Sequence, residues 1–284
     1  MPNLSEPAAV ARWLSLPVWR GEGLVDGERT LAVCRVWSPD VGHGGHRVSR
    51  HPETTPIVVS RDVVGDGQKT GDSALGLQRL LGLGSYETAW TWLHKLRRAM
   101  VRPGRDRLSG RVEVDESFVG GAGGAQGRST ATKALIVIAA EEVGQGVGRI
   151  RLRRIPDGSA DSLNAFVDEA IEPGSLVHTD GWHGYDELKA AGYRHRVTKL
   201  RGRHDLASKC LPRVHRVVSL LKRWLLGTHQ GAVSPAHLDY YLDEFTFRFN
   251  RRTSRHRGHL FFRLAQQAVA VEPAPYRRLV KHVR

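Results

Sequence analysis

Val112-Glu113-Val114-Asp115-Glu116-Ser117-Phe118 is the stretch on which the fold turns. Val112, Val114 and Phe118 stand at near-alternate positions, the pattern of a β-strand, and a glycine-rich run, 120–127, follows at once. Asp115 lies inside that strand beside Glu116. A carboxylate among valines is disfavoured unless something binds it, because a buried charge needs a partner. Two readings stand side by side: a metal ligand at the centre of a nuclease-like sheet, or an edge-strand aspartate facing water.

The segments that follow place the strand in a sheet. Residues 134–140 form a continuous apolar run, the pattern of a central strand. Residues 149–155 alternate Ile150 and Leu152 with arginines, the pattern of an edge or half-exposed strand. Short connections make these three an antiparallel meander. Ser159 opens a helix over 160–171 with Leu163, Phe166, Val167 and Ala170 on one face, and Pro173-Gly174 ends it. A strand over 175–180, a short helix over 185–191, a strand over 193–200 and a helix over 211–226 come next, then helical stretches over 235–249 and 258–270. The order βββαβαβα predicts an α/β mixed sheet with helices on its faces. It is also the order of the RNase-H-like fold.

Upstream, 74–81 reads as a helix, Gly82-Leu83-Gly84-Ser85 as a turn, and 86–101 as a second helix capped by Ser85, with Trp90, Leu93, Leu96 and Arg97 at helical spacing. This outline fits a DNA-binding helix-turn-helix or a plain αα-hairpin. Lys95, Arg97, Arg98 and Arg102 favour DNA contact. Residues 8–14 read as a short helix. Residues 20–67 read as loop-rich, with one strand near 56–59.

Lys and Arg total 43 against 29 Asp and Glu, a net charge of +14 over 284 residues. That balance favours a polyanionic partner through long-range attraction and counterion release, and arginine's planar fork suits phosphate. Cys34 and Cys210 are the only cysteines, too few and too far apart for a disulfide framework or zinc ribbon. No apolar run has transmembrane length and no signal-peptide pattern opens the chain, so a cytoplasmic, nucleoid-associated protein without a membrane is expected.

Asp180 ends the strand 175–180, just before Gly181-Trp182. Ligands of open α/β sheets gather at the carboxyl ends of strands, although Asp-Gly also starts ordinary turns. Two strand carboxylates can share divalent ions, and two ions about 3.5–4 Å apart can activate an attacking hydroxyl and stabilise a leaving oxygen. This is the chemistry of cutting and joining phosphodiesters.

Several motifs carry a family resemblance. They are Leu108-Ser-Gly-Arg-Val-Glu-Val-Asp115-Glu-Ser-Phe-Val-Gly-Gly121 with Gly127-Arg128 and Lys133, then His178-Thr-Asp180-Gly-Trp-His-Gly-Tyr185, then Leu221-Lys222-Arg223 with Gly227-Thr228-His229, and last Tyr241-Leu-Asp-Glu-Phe-Thr-Phe-Arg-Phe-Asn-Arg-Arg252. Ser85 to Trp90 and Leu93 to Arg97 also match. Over roughly 73–270 the chain resembles bacterial insertion-sequence transposases of the DDE type, in the ISXO-two-like group that usually carries an N-terminal zinc ribbon. The resemblance implies an RNase-H-like catalytic domain, Mg2+ or Mn2+ as cofactor, and DNA as partner, both element terminal repeats and target, with a homo-oligomer assembled on it. It implies Asp115 and Asp180 as metal ligands. The third ligand in the family is usually Glu, Asn or His, seven residues before a lysine; here the lysine is Lys222 and the position is His215. The imidazole could instead act as a base, or touch the DNA backbone beside Arg213 and Arg216, and Glu244 is a distant second choice for the ligand. Lys222 is expected to hold a phosphate as a point charge. Lys95, Arg97, Arg98, Arg223, Arg248, Arg251 and Arg252 are the candidate DNA contacts. Asn250 reads equally as a DNA contact or as a tie between the last helix and the core.

The expected domains are an irregular, degenerate region over 1–67 without the zinc ribbon, a helical DNA-binding segment over 68–107, a catalytic domain over 108–257, and a C-terminal helix with a basic tail over 258–284. The leading functional expectation is a DNA transposase. The alternatives are a catalytically inactive DNA-binding remnant, favoured by the missing ribbon and by His215, and an RNase-H-like nuclease of other function.

Overall fold

The computed structural model describes residues 31–36, 55–60, 73–101, 104–120, 133–199, 209–231, 233–254, 263–264, 266–268, 270–272, 274 and 276–280. The expected helix over 8–14 and Arg102 lie outside the described residues, as does much of the expected helix over 258–270.

The first described elements bear out the strand expected near 56–59 and add a partner strand within the segment read as loop-rich. β1 (Leu31–Val36) and β2 (Thr55–Ser60) form a two-stranded antiparallel sheet, with Leu31 opposite Ser60 and Val36 opposite Thr55. Pairing between distant segments satisfies their backbone groups, and no local period announces it.

α1 (Ala74–Leu81) starts at Ser73, whose hydroxyl accepts from the Gly76 amide at 3.0 Å, and ends at Gly82, which takes the left-handed φ of 62°. α2 (Tyr86–Ala99) is capped by Ser85, as expected, through the Glu87 amide. Their shared face buries Leu77, Ala89, Leu93 and Leu96.

The main sheet has five strands: β3 (Arg111–Val119), β4 (Ala134–Val143), β5 (Gly146–Arg154), β6 (Leu176–Thr179) and β7 (Arg194–Val197), in the order β5-β4-β3-β6-β7. β3 is central, antiparallel to β4 and parallel to β6. This is the mixed α/β, RNase-H-like arrangement the element order predicts. The edge-strand reading of Asp115 is therefore excluded.

Side chains alternate across β3, so its residues divide between two layers. Val112 and Val114 pack with Leu163, Phe166 and Val167 of α3 (Ala160–Ala170) and with Tyr185 and Leu188 of a 3-10 helix (His183–Lys189). Val119 packs on the opposite face, with Val214, Val217 and Leu221 of α4 (Pro212–His229) and Leu242 and Phe245 of α5 (Leu238–Asn250). Odd positions of β3, including Glu113 and Asp115, thus share the α4 side, while Glu116 shares the α3 side.

β5 is the expected edge strand, and its edge is covered at one point. The Asn250 side chain accepts from the Ile150 amide at 2.7 Å and donates to the Ile150 carbonyl at 3.1 Å, standing in for a neighbouring strand. These bonds realise the tie between the last long helix and the core. A short helix, α6 (Tyr276–Val280), ends the described chain.

Candidate active site

β3 and β6 bring the two aspartates together. Glu113 lies opposite His178 in the parallel register. Continuing two residues along each chain sets Asp115 level with Asp180, which immediately follows β6. Gly181 turns the chain there at φ 93°; a Cβ at this position would come within 2.9 Å of Val197 Cγ1. Asp180 Oδ1 accepts from the Trp182 amide at 3.0 Å, so Asp180 also makes the turn that Asp-Gly commonly starts.

Asp115 is the most perturbed carboxyl of this group. Burial, then the neighbouring carboxylates of Glu116 and Asp180, push its pKa up to about 7, against a hydrogen bond of 2.9 Å that its Oδ1 accepts from the Glu116 amide. On the other face of the strand, Glu116 accepts from the hydroxyl of fully buried Tyr185. Burial raises the pKa of Glu116 and moves that of Tyr185 well above its ordinary value. Sequence reasoning missed this Glu116–Tyr185 link, although both residues stand in the quoted motifs. The apolar alternation of β3 hides it.

His215 sits in the first turn of α4 with Nε2 3.8 Å from Asp115 Oδ2. That is beyond hydrogen-bond reach, and this nitrogen is buried without a hydrogen-bond partner. Burial lowers the imidazole pKa, which keeps the ring neutral near pH 7. The third expected group is thus close to the first, and its ring titration is also influenced by Asp180. Among the described residues, however, no group of three or more His, Cys, Asp and Glu side chains is gathered so that it could hold a metal ion. The chemistry of the donors still suits a divalent cation: two carboxylates of like charge and an unpartnered neutral nitrogen lack only positive charge.

Lys222 lies two turns further along α4, with its pKa lowered first by burial and then by Lys133. The two ammonium groups mark a cationic spot beside the acidic one.

A sequence model of the ISXO2-like transposase domain matches residues 107–250, which is half of the chain. The chain belongs to this transposase family. No curated protein matches it. Among solved structures it is similar to a Mos1 transposase paired-end complex with left transposon end (12% identity, 72% of this chain and 80% of that chain covered, TM-score 0.22). It is likewise similar to a pre-cleavage Mos1 transpososome (13% identity, 72% and 80% covered, TM-score 0.20). At such scores neither likeness supports a conclusion about this chain.

Within the transposase domain and the helices before it, the expected DNA contacts fare differently. Arg97 is only 1% exposed; its Nε donates to Glu244 at 2.8 Å and its guanidinium lies 4.1 Å from the Tyr241 ring centroid. Its guanidinium is turned into the protein, away from any phosphate at the surface, because it neutralises the buried carboxylate of Glu244. Arg248 stands 3.6 Å from the same carboxylate. Arg251 stacks on Phe247 at 3.9 Å and Arg252 on Phe249 at 4.0 Å, and Arg252 also donates to the Val147 and Gly148 carbonyls. Lys95 and Arg98 are partly buried, and Arg223 is exposed on α4.

Proposed function

We propose that this transposase-family chain is a DDE-type polynucleotidyl transferase that cleaves insertion-sequence ends and joins them to target DNA, with Mg2+ or Mn2+ as cofactor. The observation that carries the reading is Asp180 immediately after β6, beside Asp115 of the adjacent parallel strand β3, with an unpartnered His215 nitrogen 3.8 Å from Asp115.

Asp115, Asp180 and His215 are the residues that would hold the cation. When bound, divalent ions supply electrostatic stabilisation of the phosphoryl transition state and activation of the attacking hydroxyl. The protein's own part is placement. β3 and β6 hold the carboxylates on rigid, hydrogen-bonded backbone, and burial keeps water from screening them. Lys222 and Lys133 offer positive charge to the phosphate of the strand being cut, which orients it for in-line attack. Arg223, Arg248, Arg251 and Arg252, with Lys95 and Arg98 of α2, carry the remaining backbone contacts to terminal repeats and target DNA. A homo-oligomer would bring two ends together, on the nucleoid.

Labelled element ends incubated with Mg2+, Mn2+ or chelator test the reading. Ion-dependent cleavage and strand transfer are expected, lost in Asp115→Asn and Asp180→Asn while DNA binding persists and weakens steeply with salt. His215→Glu, which restores a hard oxygen ligand, is expected to retain activity with Mg2+, whereas His215→Ala costs far more and leaves a measurable residue of activity. DNA binding without cleavage under any ion would establish the second reading, an inactive DNA-binding remnant. That reading is favoured by the lack of a gathered three-residue metal group among the described residues.

A further inference from the structure

We infer that Glu113 is a positioning residue, whose carboxylate on β3 caps α4 and thereby holds His215 against Asp115. The inference rests on the catalytic role proposed above for those two residues.

α4 begins without a cap of its own. Leu211 occupies the N-cap position and makes no side-chain cap bond, while the first amides of any helix lack intrahelical acceptors. Glu113 supplies them from another element: one carboxylate oxygen accepts from the Arg213 amide at 2.7 Å and the Val214 amide at 3.0 Å. Its other oxygen accepts from the Arg213 guanidinium at 2.9 Å. Arg213 extends the anchor to the β4–β5 hairpin, pairing with Glu142 at 3.0 Å and donating to the Gly144 and Gly146 carbonyls. Glu113 is 2% exposed, a depth at which a carboxylate is tolerated only when paired and hydrogen-bonded.

The location of this cap gives it a consequence beyond helix stability. A Ser or Asp at position 211 would satisfy the same amides locally. Here the acceptor is two residues from Asp115 on the same strand and the same face, and the capped amides directly precede His215. Without it, the first amides of α4 lose their acceptor, and the helix is held by the apolar contacts of Val214, Val217, Leu221, Trp224 and Leu225, which are non-directional, and by the long, flexible Arg213 side chain at the β4–β5 hairpin. The carboxylate therefore sets where the imidazole meets Asp115, and displacement of a reacting group by about 1 Å can cost on the order of 100-fold in rate.

Glu113→Gln in the full chain is the direct test, with folding followed by circular dichroism and thermal unfolding. The histidine ring resonances are read by NMR at fixed pH, that of His215 being assigned by its loss in His215→Ala. In folded Glu113→Gln, the His215 resonance is expected to move while those of His178 and His195 stay; an unmoved His215 signal overturns the inference whether or not the chain cleaves DNA. Should Glu113→Gln not fold, Glu113→Asp, which keeps the charge but draws the carboxylate back from the Arg213 and Val214 amides, carries the same measurement with the same two outcomes. Where the wild-type chain cleaves, a double-mutant cycle adds a second readout. Glu113→Gln is expected to slow cleavage about 10- to 100-fold, and adding it to His215→Ala should cost nothing further. Multiplying effects would overturn the inference, whereas absence of cleavage by the wild-type chain would count against the catalytic reading alone.

Discussion

Two buried charged clusters differ in one respect that separates structure from chemistry. Between α2 and α5, Arg97 and Glu244 meet at 2.8 Å with both side chains almost wholly buried. His94 beside them is kept neutral, its pKa lowered to about 2 by burial and by Arg97. Opposite charges there meet at hydrogen-bond distance. On the sheet, the carboxylates of Glu116 and Asp180 raise the pKa of Asp115, and the neutral imidazole of His215 lies 3.8 Å from it. A fold gains nothing from crowding carboxylates in this way. Such an arrangement marks a place where a ligand supplies the missing charge.

The sharpest way to break the comparison is to remove a charge from each cluster. Asp115→Asn is expected to abolish cleavage while leaving thermal stability unchanged or raised, since it relieves burial and repulsion at once. A loss of folding would show that the sheet cluster is structural after all. Glu244→Ala is expected to do the reverse by stranding Arg97, with a loss of about 3–5 kcal/mol in denaturant unfolding. Stability close to wild type in that variant would make the helical cluster unnecessary.

Acid sharpens the same contrast. His94, and His229 with its pKa lowered to about 4 by burial and Arg97, are neutral when folded, but have ordinary values near 6.5 when unfolded. The unfolded chain therefore binds more protons between pH 4 and 6.5. The stability that these rings contribute is complete above about pH 6.5 and is lost as pH falls, by at most about 1.4 kcal/mol per unit for each ring. Asp115, whose folded pKa is raised to about 7, titrates in the opposite sense over the same window, so urea midpoints at pH 7 and 5.5 are compared in Asp115→Asn, where equal midpoints would contradict the histidine contribution. The smallest effect is expected at Asn250. Asn250→Ala leaves the Ile150 amide and carbonyl without their bonds and should cost about 1–3 kcal/mol, with amide hydrogen exchange accelerated at Ile150 rather than in β3.

Most of the element order was legible because each segment carries its own period or cap: Ser85 and Ser159 both cap the helices they were expected to open. The pairing of β1 with β2 was not, because strand partners 19 to 29 residues apart leave no local signature. Arg97 looked like a surface contact because of its charge, although helical spacing set it with Trp90, Leu93 and Leu96. Only the approach of α5 shows that it neutralises a buried acid. Glu113 and Glu116 flank the aspartate in plain view, yet a sequence cannot say which face of a strand meets which helix.

The sequence by itself determined the family, the βββαβαβα order, and the two aspartates and the histidine as the residues to watch. The element order follows from residue type and spacing along the chain, and the family and the histidine from the motifs that carry the resemblance. The tertiary structure alone decided that β3 is central, that Asp115 stands level with Asp180, that His215 faces them from a helix fastened through Glu113, and that Arg97 and Glu244 belong to the interior. Those are facts of register and of packing between distant segments. They are decided by which backbone groups pair and which charges find partners once the chain is folded, and neither is written in any local stretch of residues.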